Sequence, residues 1–252
     1  MKNDLPLVLL HGFCEDASLW DGLLPMLGEL PVFCPDLPGF GDAPVPEKPG
    51  MEVYAEAVLA FLDGHNVEKC VLVGHSMGGY AALAFAEKYP ARLAGFGLVH
   101  SHPYPDTPDR RENRRRGIEL IRSGKKDQYV AQLFPALFLP AFAAANPDVV
   151  QRLVRRAQNF PADGIALALE GMMNRPSHEK TLENAPCPVL FVVGTEDGLL
   201  ERPLAEAMTA LPPVADIHIL EGVGHMGIFE APEKVATALR GFHALCSSEL
   251  KS

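Results

Sequence analysis

Six short apolar runs, at residues 5–10, 32–34, 69–73, 93–99, 189–193 and 215–220, constrain this chain more than any other feature. Each is too short for a stable helix and reads as a strand. Helical patterns at 19–27, 51–64, 77–89, 203–211 and 232–245 fall between or after them. Strands joined by helices lie parallel, because each crossover carries the chain back to the end of the sheet where the next strand begins. The expectation is an α/β fold with a mainly parallel six-stranded sheet flanked by helices.

The alternation stops between residues 101 and 183, where helical patterns alone fill a stretch far longer than an ordinary crossover. Two of them run over 110–120 and 161–173. Asn146-Pro147 reads as a helix N-cap with proline at the first helical position, followed by Val149, Val150, Leu153 and Val154 at helical spacing. The expected organisation is a core domain of residues 1–100 and 184–252, interrupted by a helical cap of residues 101–183. A length of 252 residues with 48% apolar and 21% charged residues suits one principal domain with this insertion.

Charge narrows the partners. A net charge of -10 repels nucleic acid and anionic membrane alike, so neither is expected, and a small-molecule substrate is. The apolar run at 5–10 is too short for a signal-peptide core, and the most apolar segment, 133–145, contains Pro135 and Pro140, which would break a spanning helix. Five scattered cysteines, with no C-x-x-C pair, are expected as reduced thiols, which favours a cytoplasmic location. No cofactor is called for. His100 and His102 alternate at a strand end as metal ligands can, but no neighbouring Cys or acid completes a set, so no metal is expected. A monomer and a homodimer fit equally.

The chemistry centres on Gly74-His75-Ser76-Met77-Gly78-Gly79. An apolar strand ends there and a run of helix formers begins at once, which places Ser76 on a tight turn whose glycines relieve crowding around a strained nucleophile. A serine hydroxyl needs a base to take its proton. Of nine histidines, His225 lies in a glycine-bearing loop directly after the last expected strand, at the edge where parallel sheets build their sites. The others have weaker claims: His218 lies within a strand, His65, His178 and His243 in helical or polar surface contexts, and His75 should point away from Ser76. Asp197, in the loop after the fifth strand, is the carboxylate to orient the imidazole, with Glu196 as its rival. Asp36 reads instead as a turn-shaping aspartate. The oxyanion donors would be the backbone N–H groups of Met77, at a helix N-terminus, and Phe13, in the loop after the first strand.

On His11-Gly12-Phe13, Asp36-Leu37-Pro38-Gly39-Phe40-Gly41, the serine turn, Gly194-Thr195-Glu196-Asp197 and Gly224-His225, the chain resembles the α/β-hydrolase superfamily, in its esterase, lipase and haloperoxidase-like group. The resemblance implies a Ser76, Asp197, His225 triad and a cap over residues 101–183. Little chain precedes residue 5 for the N-terminal antiparallel hairpin many members carry, so an all-parallel sheet is expected. Serine at the nucleophile position weighs against epoxide hydrolases and haloalkane dehalogenases, which attack through a carboxylate.

Carboxylic ester or thioester hydrolysis through an acyl-enzyme is the leading expectation. Carbon–carbon bond hydrolysis or lysis, perhydrolysis and a hydrolase-fold ligand receptor with little turnover are the alternatives. Some members resemble enzymes of menaquinone or biotin precursor synthesis, and no residue selects these. The apolar cluster Phe134, Leu137, Phe138, Leu139 and Phe142 either lines an acyl pocket or packs the cap onto the sheet. The basic run Arg110, Arg111, Arg114, Arg115 and Arg116 either attracts an anionic substrate or forms a solvated helix face. Cys14 reads as a small packing residue beside the pocket rather than a second nucleophile.

Overall fold

The computed structural model describes residues 5–249. Strands β1 (Leu7–Leu10), β2 (Val32–Phe33), β3 (Cys70–His75), β4 (Leu93–Val99), β5 (Val189–Gly194) and β6 (Ala215–Leu220) form one sheet in the order β2-β1-β3-β4-β5-β6. Every neighbouring pair is parallel. All residues of β1, β3, β4 and β5 are buried, which is why these segments read as continuous apolar runs rather than alternating ones. From β1 the order runs outward to β2 on one side and to β3 on the other. Loops leaving the C-terminal ends of β1 and β3 therefore diverge around a crevice, the place where open α/β sheets bind ligands.

Helices α1 (Met51–Gly64) and α2 (Met77–Lys88) connect the strands from β2 to β4. Between β4 and β5 the chain forms only helices: α3 (Pro108–Leu120), α4 (Lys126–Leu137), α5 (Pro140–Ala145), α6 (Pro147–Gln158), α7 (Ala162–Asn174) and α8 (Glu179–Glu183), with a π-turn at Ile121–Lys125. Helix α9 (Arg202–Thr209) joins β5 to β6, and α10 (Gly227–Glu230) and α11 (Pro232–Glu249) follow. α2 packs on β1, β3 and β4, whereas α11 packs on β4, β5 and β6. Among the described residues no helix is long and apolar enough to cross a membrane.

Two local expectations are corrected. The helix expected over 19–27 is a pair of 3-10 turns, Ala17–Trp20 and Leu24–Leu27. Asp16 caps the first by accepting the Ser18 N–H at 3.0 Å, and Pro25 has no N–H with which to continue an α-helix between them. Asn146 does precede α6, but its side chain turns back and donates to the Phe142 carbonyl at 3.0 Å, closing α5 instead of capping α6.

The helices between β4 and β5 hold together through their own apolar faces and meet the rest of the fold at both polar and aromatic contacts, Phe160 on Phe40 and Tyr129 on Phe13 among them. Arg156 pairs with the buried Asp16, and the Leu139 N–H donates to Glu230 at 2.9 Å. Phe134 is fully buried, and Phe138 stacks on Phe142 with ring centroids 5.3 Å apart while also leaning on Phe229 at 5.9 Å. These contacts make the phenylalanine cluster a packing element. Truncating Phe134 to alanine should cost about 3–5 kcal/mol, read by urea denaturation, because a cavity replaces a large buried ring.

Candidate active site

β3 ends in a turn that leaves Ser76 at φ +49° and ψ -114°, a conformation L-residues avoid. The turn is too crowded for side chains on either side. A Cβ on Gly74 would stand 2.1 Å from the Gly78 carbonyl, and one on Gly78 would stand 2.5 Å from the carbonyl oxygen of Leu10. The strained residue is clamped by its own N–H, which donates to the Val99 carbonyl at 2.9 Å, and by Ser101 Oγ, which donates to its carbonyl at 2.7 Å.

The hydroxyl of Ser76 lies 3.0 Å from His225 Nε2. On the other side of the ring, Nδ1–H reaches both oxygens of Asp197, at 3.0 and 2.9 Å. Three residues from three loops thus form one relay, while Glu196 points into solvent. Asp197 also accepts the Leu199 N–H at 2.9 Å and Nδ1–H of His100 at 3.3 Å. Burial alone would raise the Asp197 pKa, but the His225 charge and the two histidine hydrogen bonds outweigh it and hold the carboxyl well below its usual range. Asp197 therefore stays ionised and can orient the imidazole and stabilise an imidazolium.

Sequence reasoning missed the role of His100. Its backbone lies at φ +51°, which breaks the alternation of β4, so His100 turns to Asp197 while His102 turns to Tyr80. Burial lowers the His100 pKa to about 4, so the neutral ring donates to Asp197. The two histidines do not share a ligand position, and the described residues contain no cluster of three or more groups placed to hold a metal ion. His178 and His243 are corrected from surface to buried positions: His243 Nε2–H donates to the Leu5 carbonyl at 2.7 Å, and His178 sits beside Thr181 at 3.4 Å.

The loop after β1 is shaped by two further histidines. His11 donates from Nδ1 to the Gly12 carbonyl at 2.9 Å and accepts the Leu37 N–H on Nε2 at 2.8 Å, tying this loop to the one after β2. There Asp36 accepts the N–H groups of Ala17 and Asp42, at 2.8 and 2.9 Å. Phe13 N–H donates to no protein acceptor among the described residues, and Met77, first residue of α2, has an N–H without an intrahelical partner.

Glu15 is buried, although carboxylates rarely are. One of its oxygens accepts the Gly12 N–H at 2.7 Å and lies 3.1 Å from His75 Nδ1. The other nitrogen of His75 lies 3.2 Å from the carbonyl of His225. Glu15 and the His225 carbonyl thus bracket the ring of His75 on both sides. Burial disfavours the charged form of His75, but the Glu15 charge and hydrogen bond outweigh it and raise the His75 pKa.

A cavity of about 370 Å³ opens over Ser76 and His225. Its apolar walls come from Phe13, Tyr129, Leu133, Leu137, Leu169 and Met172. Of the expected cluster only Leu137 lines it. Phe134, Phe138 and Phe142, candidates for the pocket, are absent from its lining and pack elsewhere, the second of the two readings of that cluster. Cys14 is buried in the core beside the same loop. The basic run divides by helical phase: Arg115 and Arg116 pair with Glu112 on the exposed face, whereas Arg110 and Arg114 reach the cavity.

Replacing Glu15 by glutamine tests the buried pair. The His75 pKa is raised in the folded state, so the stabilisation is full below the ordinary imidazole value of 6.5 and fades as pH rises through the raised value. Glu15→Gln should therefore cost about 3 kcal/mol at pH near 6 and measurably less near pH 9, in urea denaturation at both values.

A sequence model of the Alpha/beta hydrolase family matches residues 7–238. Among solved structures, a thermophilic esterase from Thermogutta terrifontis, with malate bound, superposes with a TM-score of 0.90 at 33% identity, covering 96% of this chain and 90% of that one. The 2-succinyl-6-hydroxy-2,4-cyclohexadiene-1-carboxylate synthase of Enterobacter sp. (strain 638) is 28% identical over 237 residues, which cover 92% of this chain and 89% of that protein. The biotin biosynthesis bifunctional protein BioHC of Cellvibrio japonicus is 28% identical over 253 residues, covering 94% of this chain, which spans only 47% of that protein's length. With the match running through nearly all of the sheet and the helices between β4 and β5, the chain belongs to the alpha/beta hydrolase family.

Proposed function

We propose that this chain is a serine hydrolase that cleaves a small carboxylic ester or thioester through an acyl-enzyme. The observation that carries the reading is the relay from Ser76 Oγ to His225 Nε2 at 3.0 Å and from His225 Nδ1 to Asp197 at 2.9 Å, open to one cavity. His225 takes the Ser76 proton as the oxygen attacks the carbonyl. Phe13 and Met77 N–H groups receive the developing oxyanion, whose charge they stabilise because they are already oriented. His225 then returns the proton to the leaving oxygen or sulfur. Water, activated by the same imidazole, releases the acid and restores Ser76.

In this reading residues 101–183 are a cap that covers the acyl group, and Tyr129, Leu133, Leu137 and Leu169 are its apolar contacts. Similarity to an esterase supports ester cleavage, and the similarity to a synthase is why a carbon–carbon bond reaction on the same groups is the outcome to exclude.

The test is steady-state hydrolysis of p-nitrophenyl acetate, butyrate, octanoate and palmitate by the wild type and by Ser76→Ala. The variant should fold normally and lose on the order of 10⁶ in kcat. Acetate and butyrate should be preferred over palmitate, given a cavity of about 370 Å³. Equal turnover by a pure Ser76→Ala preparation would remove the proposal.

A further inference from the structure

The cavity has a second polar wall, where Tyr80, His102, Arg110, Asn113 and Arg114 meet. Hydrogen-bond donors outnumber acceptors there. His102 Nε2 lies 3.1 Å from Arg110 Nη1 and 3.2 Å from Tyr80 Oη, and the Tyr104 N–H stands 3.2 Å from Nδ1. Burial, reinforced by the guanidiniums of Arg175, Arg110 and Arg114, lowers the His102 pKa to about 3 and keeps the ring neutral, so it adds no charge to this wall.

The Leu199 carbonyl accepts from Arg110 Nη2 and His102 Nε2 stands 3.1 Å from Nη1, so among the described residues the remaining N–H groups of the guanidinium have no acceptor. The Tyr80 hydroxyl lines the same wall. Charge is unbalanced in the same sense. Three guanidiniums act on His102 against the single carboxylate of Asp106, which is already shared by Arg114 and Arg175. In a chain of net charge -10, this wall of the cavity is locally positive.

We propose that this wall is a subsite for a carboxylate of the substrate, so that the ester presented to Ser76 carries a free acid, as does the half-ester of a short dicarboxylic acid. The inference rests on the ester-hydrolase reading of Ser76. The remaining Arg110 N–H groups are the donors, beside the Tyr80 hydroxyl, and Arg114 and Arg175 supply the field. Tyr80 follows Ser76 by one turn of α2, about 6 Å along the helix, so the acid group lies a few bonds from the scissile carbonyl.

The experiment compares monoethyl glutarate with neutral diethyl glutarate, by pH-stat, in the wild type, Arg110→Gln, Arg110→Lys and the surface control Arg115→Gln. The wild type should prefer the half-ester. Arg110→Gln should lower the half-ester to diester ratio of kcat/KM by about tenfold to a hundredfold, mainly through KM, as loss of a charge-assisted hydrogen bond predicts. Arg110→Lys should restore part of the ratio, and Arg115→Gln should leave it unchanged. A ratio in Arg110→Gln within about twofold of the wild type would overturn the subsite.

A second arm needs no turnover: calorimetric titration of glutarate into Ser76→Ala and into Ser76→Ala with Arg110→Gln. Binding that weakens about tenfold or more with Arg110→Gln supports the subsite even if no Ser76-dependent hydrolysis is found, in which case the esterase reading alone falls. Ser76-dependent hydrolysis with no glutarate binding and no preference for the half-ester overturns the subsite alone.

Discussion

Two buried carboxyl groups cross-link most of the loops at the C-terminal edge of this sheet. Asp197, after β5, holds His225 from the loop after β6 and His100 from the end of β4. Glu15, after β1, holds the Gly12 N–H and the ring of His75 at the end of β3, whose other nitrogen lies 3.2 Å from the His225 carbonyl. Five loops that would otherwise move independently are therefore cross-linked through two carboxyl groups and three histidine rings. Burying such polar groups is expensive, and each is tolerated because its partners are in place.

That arrangement explains why the proposed nucleophile sits on a strained backbone. Ser76 occupies a conformation that costs free energy, and the surroundings hold it there: Val99 and Ser101 grip its peptide, and glycines at 74 and 78 allow β1, β3 and α2 to approach closely. His75 next to it is pinned by Glu15, so the residue before the turn is as constrained as the turn itself. The geometry at 3.0 Å between Ser76 and His225 follows from packing and polar clamps on both sides of the elbow.

The helices between β4 and β5 add the part that differs in character from the sheet. Their apolar side chains close one wall of the cavity, and their arginines make another wall positive although the chain as a whole is acidic. Asp106, between β4 and α3, takes both Arg114 and Arg175, and Arg175 lies 3.9 Å from the Tyr80 ring centroid. The same buried group thus joins this helical region to α2, one turn beyond Ser76.

From sequence alone the six strands, their parallel direction and the Ser76, His225 and Asp197 candidates are legible, because buried runs and glycine-flanked turns are local patterns, whereas the order of the strands in the sheet is not. The 3-10 turns at 17–27 are less so, since Asp16 and Pro25 override a weak helical pattern. Glu15, His75 and His100 look like ordinary loop or strand residues; what they do depends on partners 60, 150 and 97 positions away. Which phenylalanines pack and which arginines face the cavity was likewise decided by tertiary structure. Composition specifies that residues 101–183 bury apolar faces, but only the docking of those helices determines that Leu137 rather than Phe134 meets the cavity, and Arg110 rather than Arg115. Local chemistry is written residue by residue, whereas the partner of a side chain is a property of the assembled fold.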